Sequence, residues 1–529
     1  MTLPFYVLAT LGMIALPVAA GSVARRRLAA PWWLFCVGMA TFVASQIYHL
    51  PLNHGLTRLS LLGPVSPGEP TLLRTALVLG LSAGLCESLA RAVGYWLLFR
   101  LRRIDQGAHS PVGRWQGAVM VGLGHGGIEA MLLAVMMAAT ISSLWELRGQ
   151  DLPTLGMSAD QLAAVGRQLS TFIASPWLAL APLLERCIAM LLHVTLSVGV
   201  WSAFRRRNPL YLLAAILYHA AFDGLAVYLS QFISNVWLIE GLLLLLALPG
   251  AAWVWAIRER IPAVQPVSRT ARAAKRKMFG LSLAKELTQQ WRSRRALVVG
   301  VVFLVLGMGS PLLAKFTPEM LGMIPGAEQF ADLIPTPTTA DALGQYIKNL
   351  TQFGFILAVL LGMGAVAGEK ERGTAALILS KPLPRWAFVL AKFVAQALIY
   401  LLAFGLAALG AAYYTSLLFE PLAFGPFIFG SLLLWVWLLT FAAVTLLGST
   451  LAPSTGVAAG IGFGGAVALL LAGNVPRYGV LAPAGLVAWA SRLGLAVPGV
   501  ANGGALAAGV VWIIMCLIVA VAVFETQEL

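Results

Sequence analysis

Apolar residues run along this chain in unbroken stretches of about twenty or more, the length that crosses ~30 Å of hydrocarbon as an α-helix. Such windows fall at 3–23, 30–50, 72–98, 115–141, 174–203, 209–230 and 232–256. Six more follow at 296–315, 350–368, 386–416, 425–449, 455–473 and 505–524. No window alternates apolar and polar residues with the period of a strand. The pattern predicts an all-α polytopic membrane protein of about 13 transmembrane helices, seven and then six.

Composition agrees: 59% of the 529 residues are hydrophobic and 11% charged, which excludes an ordinary soluble enzyme. The net charge of +15 would suggest nucleic acid in a soluble protein. Here its distribution gives a different reading. With the N-terminus outside, segments 24–29, 99–114, 204–208, 257–295, 369–392 and 450–454 and the C-terminus lie on the cytoplasmic side. They hold 26 of the 36 Lys and Arg residues, against eight on the exterior side, with Arg91 and Arg186 inside spans. Inside-positive loops of this strength set membrane orientation, so the expected location is a prokaryotic plasma membrane, the expected surroundings are lipid, and nucleic acid is excluded. The longest basic segment, 258–295, begins with Pro262 and Pro266 and continues as a helix lying on the inner membrane face. It separates a first domain, 1–257, from a second, 296–529. Cys36, Cys86, Cys187 and Cys516 all fall in apolar stretches without CxxC spacing, as small core residues do.

Ionisable residues inside spans change the picture further, because each costs roughly 2.5–3.5 kcal/mol at the bilayer centre even on the most lenient scale. The first domain carries Glu87 with Arg91, His125 with Glu129, Glu185-Arg186 followed by His193, and His219 with Asp223. Counting from the cytoplasmic ends of four helices at ~1.5 Å per residue, Glu87, His125, His193 and His219 all lie roughly 15–18 Å deep. A shared depth predicts one site. Within it, i,i+4 spacing puts Glu87 with Arg91, His125 with Glu129, and His219 with Asp223 on common faces. A carboxylate on one imidazole nitrogen leaves the other free for water, substrate or metal. Glycines 122, 124, 126 and 127 around His125 permit close approach of a neighbouring helix.

The strings GLCESLAR (84–91), GLGHGGIEA (122–130), LERCIAMLLHVTLSV (184–198) and YHAAFDGLAVY (218–228) resemble the YhfC-like intramembrane proteases, relatives of the CAAX prenyl-protein proteases and of a gamma-secretase subunit. The resemblance implies a glutamate-type peptidase over residues 1–257. Glu87 and His125 would activate a water, and His219 and Asp223 would bind the oxyanion or position the scissile carbonyl. Arg91, Glu129, Glu185, Arg186 and His193 would support them. No directly bound cofactor is expected on this reading, whereas a metalloprotease reading makes His125, His193 and His219 zinc ligands. The chain departs from the family in one respect: Cys86 precedes Glu87 where paired glutamates are usual.

In the second domain, KELTQQWRSRRALVVG and AGEKERGTAALILSKPLPRWAFVLAKF resemble the permease subunits of type-2 ABC exporters. The resemblance implies that Glu369, Glu371, Arg372, Gly373 and Thr374 form an ATPase-coupling loop, that stretch 474–504 carries a re-entrant hairpin, and that the permease works as a dimer. No GxxxxGK[ST] loop occurs in the chain, so ATP would act through a separate subunit. Two functions follow: a peptidase fused to an exporter, or a transporter whose first domain only binds substrate or regulates.

Overall fold

A computed structural model describes residues 2–528 except 64, 66–68, 102–111, 149–158, 260–268, 323–335, 421, 476–478, 480–481 and 495–500. The Pro262 and Pro266 linker lies outside the described residues. Among the described residues, thirteen helices are long and apolar enough to cross a membrane. In the first half these are α1 (Leu3–Arg27), α2 (Trp32–Arg58), α3 (Leu72–Leu101), α4 (Trp115–Leu147), α6 (Ala181–Arg205), α7 (Leu210–Leu229) and α8 (Val236–Ala256). The shorter α5 (Ala159–Ala174) is amphipathic and lies between spans, where no apolar window stands.

The second half begins with the amphipathic α9 (Arg269–Arg292). Its spans are α10 (Arg295–Gly322), α11 (Thr339–Gly362), α14 (Arg385–Leu418), α15 (Phe424–Leu451), α16 (Thr455–Ala472) and α18 (Gly503–Thr526). Three short helices complete it: α12 (Ala367–Glu371), α13 (Thr374–Leu379) and α17 (Gly485–Gly494). In the stretch expected to hold a hairpin, α17 is the one helix among the described residues.

One span differs clearly from its apolar window. The window at 350–368 predicts a later start than that of α11, which begins at Thr339 behind a capping box of Thr338 and Asp341. The reciprocal Thr338–Asp341 hydrogen bonds satisfy helix-end donors and nucleate two polar turns that hydrophobicity does not report.

The chain forms two compact units. One comprises Met1–Ala134 and Leu152–Pro266; the other comprises Val135–Asp151 and Val267–Leu529. In the first, small residues decide which helices meet. A Cβ added to Gly124 of α4 would stand 2.0 Å from the Phe35 carbonyl oxygen of α2, and one added to Gly80 of α3 would stand 2.3 Å from the Ala220 oxygen of α7. Backbones can come this close only where no side chain intervenes. Gly126 likewise packs on the His193 ring of α6. The histidine-bearing helices are thereby drawn together. Gly124→Ala is expected to destabilise the fold by about 1–3 kcal/mol through overpacking. Gly241→Ala, with nothing within 4 Å of its new Cβ, should be neutral or stabilising. Unfolding in mixed micelles followed by tryptophan fluorescence checks this, and equal midpoints would contradict it.

In the second unit α14 and α15 are the most enclosed spans. Helix α9 lies against α14, where Phe279 stacks on Trp386 at 5.9 Å. Its Ser282 and Glu286 are buried, whereas Leu281 and Trp291 are exposed.

Candidate functional site

Three histidines from three helices converge on one carboxylate. Glu87 Oε2 lies 3.0 Å from His125 Nε2, 4.0 Å from His193 Nδ1 and 3.9 Å from His219 Nε2. All four side chains are buried. The i,i+4 pairs behave differently from one another. Arg91 reaches Glu87 at 3.4 Å, and His219 reaches Asp223 at 3.3 Å. Glu129, by contrast, meets His193 Nε2 at 2.5 Å rather than its helical neighbour His125. Arg186 ties Glu129, at 2.8 Å, to Glu185. All nine residues singled out in this half therefore belong to one connected network. Glu185 and Asp223 form its more exposed ends, each with a side chain 36% exposed.

The hydrogen bonds set the tautomers. Thr41 Oγ1 spends its one proton on the Gly38 carbonyl at 2.7 Å, so it accepts from His125 Nδ1 at 2.9 Å. The lone pair of a neutral His125 then faces Glu87 Oε2. Two lone pairs cannot stand at 3.0 Å unless positive charge lies between them, either a proton or a metal ion. At His193, Nε2 turns to Glu129, and Nδ1 accepts from Arg91 Nη2 at 2.7 Å.

The donor set fits a divalent metal only in part, because the inward Nδ1 of His193 already accepts from the Arg91 guanidinium. Glu87, His125 and His193 offer ligand atoms within 4.8 Å of one another, and the outer nitrogens of both histidines are anchored by Thr41 and Glu129, as metal-binding imidazoles usually are. This trio has Glu87 in the position that the three-histidine alternative gives to His219. His219 fits less well, since its Nε2 serves both Asp223 and Glu87 while its buried Nδ1 has no partner.

Two features of this region are absent from the sequence-level picture. His49 and Asn53 of α2 form a polar cluster with Ser82 of α3, through contacts of 3.3 Å, 3.1 Å and 2.8 Å, within electrostatic reach of Glu87, His219 and Asp223. A histidine in the second span was the available signal; it lacked an acidic neighbour at helical spacing. The second feature is a stripe on α3 and α6. Ser88 Oγ, Arg91 Nε and Nη1, Tyr95 OH and Ser197 Oγ are buried without hydrogen-bond partners. Each such group costs about 1–3 kcal/mol if left dry.

The second unit carries its own buried charges, which the apolar windows conceal. Lys392 of α14 binds Glu286 of α9 at 3.1 Å and Glu369 of α12 at 2.8 Å; Lys285 meets the same two carboxylates at 2.8 Å and 3.0 Å. Lys392, Glu286 and Glu369 are each at most 5% exposed. Burial works against the Lys285 charge, but hydrogen bonds and attraction from Glu286 and Glu369 outweigh it, raising its pKa. Glu369 thus faces inward. Glu371 accepts from the backbone and hydroxyl of Thr455, and Thr374 donates to the Glu369 carbonyl. Gly373 takes φ 70°, a left-handed turn that spares a glycine strain. The outward tip consists of Arg372, Ala376, Leu377 and Lys381, with Leu377 70% exposed.

Fold and sites together define a multi-pass membrane protein with a histidine–carboxylate centre in one unit and a lysine–glutamate cluster in the other. Residues 12–243 match the family model described as YhfC intramembrane metalloprotease, and residues 281–529 match that of the ABC-2 family transporter proteins. The chain thus joins a domain matching the YhfC family to a domain matching the ABC-2 transporter family, each model covering less than half of it. It is 34% identical over 129 residues to a probable ABC transporter permease protein, NosY, of Stutzerimonas stutzeri, a match covering 24% of this chain and 42% of that protein. It is 28% identical over 145 residues to the uncharacterized membrane protein YhfC of Bacillus subtilis (strain 168), covering 26% and 55%. An uncharacterized transmembrane protein of the same organism, YxlG, is 28% identical over 125 residues, covering 23% and 48%. The chain spans about half the length of these curated relatives.

Proposed function

We propose that the first domain is an intramembrane peptidase and the second an exporter permease driven by a separate ATP-binding subunit, in a prokaryotic plasma membrane. The N-terminus lies outside and the C-terminus in the cytoplasm, as the inside-positive loops require. The permease half works as a dimer, and the substrate is a polypeptide that the bilayer presents to the site. The observation that carries the peptidase reading is the convergence of three imidazoles on Glu87 Oε2, within 4.0 Å and from three helices. Glu129, bridged to Glu87 through His193, supplies a second carboxylate where Cys86 replaces the usual one.

In this mechanism Glu87 takes the proton of the attacking water and passes it to the leaving amine. His125 is held by Thr41 so that its Nε2 faces that exchange. His219, oriented by Asp223, donates to the developing oxyanion. Arg91 pairs with the buried Glu87 carboxylate at 3.4 Å and holds it in place. A zinc ion on Glu87, His125 and His193 would make a bound water more acidic, but it would have to displace Arg91 from His193 Nδ1 and would take Glu87 as a ligand in place of its role as base.

Reconstituted protein should cleave single-span peptides, and His125→Ala should remove at least about 100-fold of that activity. Cleavage that survives the substitution in a folded chain would overturn the peptidase reading. Tagged protein in mild detergent should also retain an ATP-binding subunit, lost on Leu377→Asp at the exposed tip; retention by that variant would overturn the coupling role of α13.

A further inference from the structure

The unpartnered polar atoms on α3 and α6 are not scattered. Ser88, Arg91 and Tyr95 stand at i, i+3 and i+7, one stripe of α3 that begins beside Glu87. Ser197 lies one turn beyond His193 on α6 and faces Tyr95. The two helices meet here directly, since Arg91 Nη2 donates to His193 Nδ1 at 2.7 Å. Ser88, Arg91 and Ser197 are 0% exposed and Tyr95 2%. Tyr95 OH and Ser197 Oγ have only each other within reach, and Ser88 Oγ and the Arg91 Nε and Nη1 have no protein partner; in line over ~10 Å of helix, these five atoms need further partners from elsewhere. At the far end, Tyr95, Phe99 and Phe204 form an aromatic cluster, with centroids 6.0 to 6.5 Å apart. Beyond it come the exposed, basic helix ends, Arg100 and Arg205.

We propose that this stripe holds a file of ordered water molecules running from the basic ends of α3 and α6 to Glu87, gated by the Tyr95–Phe99–Phe204 cluster. Hydroxyls that both donate and accept, next to a guanidinium with three free N–H bonds on Nε and Nη1, suit water; the donors do not point one way, as an anion would require. Arg91 Nε and Nη1 do not form one edge of the guanidinium fork, so a bidentate carboxylate is not accommodated. The inference rests on the peptidase reading only for its purpose, which is to deliver the hydrolytic water into hydrocarbon. The presence of the water file does not depend on that reading.

Radiolytic hydroxyl footprinting of the full chain in nanodiscs, in heavy-oxygen water, tests both separately. Tyr95 should be labelled at least about tenfold faster than Tyr346, an equally buried tyrosine whose hydroxyl is bonded to Ser431 at 3.0 Å. Ser197→Val with Tyr95→Phe should abolish labelling along the stripe and lower kcat about tenfold with KM unchanged. Phe204→Ala, which opens the gate and touches no polar group, should speed labelling at Tyr95. Labelling of Tyr95 in a chain that cleaves nothing would leave the water file standing and remove the peptidase. Tyr95 as silent as Tyr346 in an actively cleaving chain would overturn the water file and leave the peptidase.

Discussion

Glu87→Gln is expected to reduce peptide cleavage by about 10²–10⁴-fold, the usual worth of a positioned general base. The same substitution should destabilise the first unit, because it strips the carboxylate from a wholly buried Arg91. Arg91 is 0% exposed, and its other hydrogen bond is to Nδ1 of His193. Removing one partner of such a pair typically costs about 3–5 kcal/mol. Lost activity in the single variant therefore mixes chemistry with folding. The pair Glu87→Gln and Arg91→Met separates them: stability should recover much of the loss while cleavage stays absent. Unfolding midpoints and cleavage rates measured on the same nanodisc preparations check both parts. Full cleavage by the double variant would show that Glu87 is not the base.

Lys392→Ala should have the largest effect in the second unit. It leaves Glu286 and Glu369, at most 5% exposed, with only the half-exposed Lys285 between them. A loss of about 3–5 kcal/mol is expected. Because the cluster joins α9, α12 and α14, its break should also loosen the exposed tip around Leu377 from the spans behind it. Pairing Lys392→Met with Glu369→Gln leaves one lysine and one glutamate, so it should recover most of the stability. ATP-dependent transport with the partner subunit should stay low, since the connection from α12 to α14 remains cut. Hydrogen exchange at 367–379 gives the readout. Exchange unchanged in Lys392→Ala would refute the connection.

The candidate site was legible to different extents in its different parts. Glu87, His125, His193 and His219 stand out because ionised or polar groups are costly in hydrocarbon, and equal depth on parallel rods leaves them little choice but to meet. Pairing within the site was not legible. Helical spacing joins His125 to Glu129, yet Thr41 holds His125 and Glu129 holds His193. The rotation of each helix decides this, and that rotation follows from backbone contacts such as Gly124 on Phe35. The lysine–glutamate cluster escaped for the converse reason. Glu286 lies in a segment that reads as an interfacial helix and Glu369 in one that reads as a cytoplasmic loop, and only packing against α14 buries them.

By itself the sequence determined that this protein is a membrane-embedded helical chain of seven and six spans, because hydrocarbon demands long apolar helices and nothing else. It also singled out four residues that meet in the structure, since the energetic penalty of each is local and shows in the string. Tertiary structure alone decided which nitrogen faces which oxygen and which histidine Glu129 meets. Those outcomes depend on distances of a few tenths of an ångström between helices far apart in the chain, and periodicity along one helix carries no record of them.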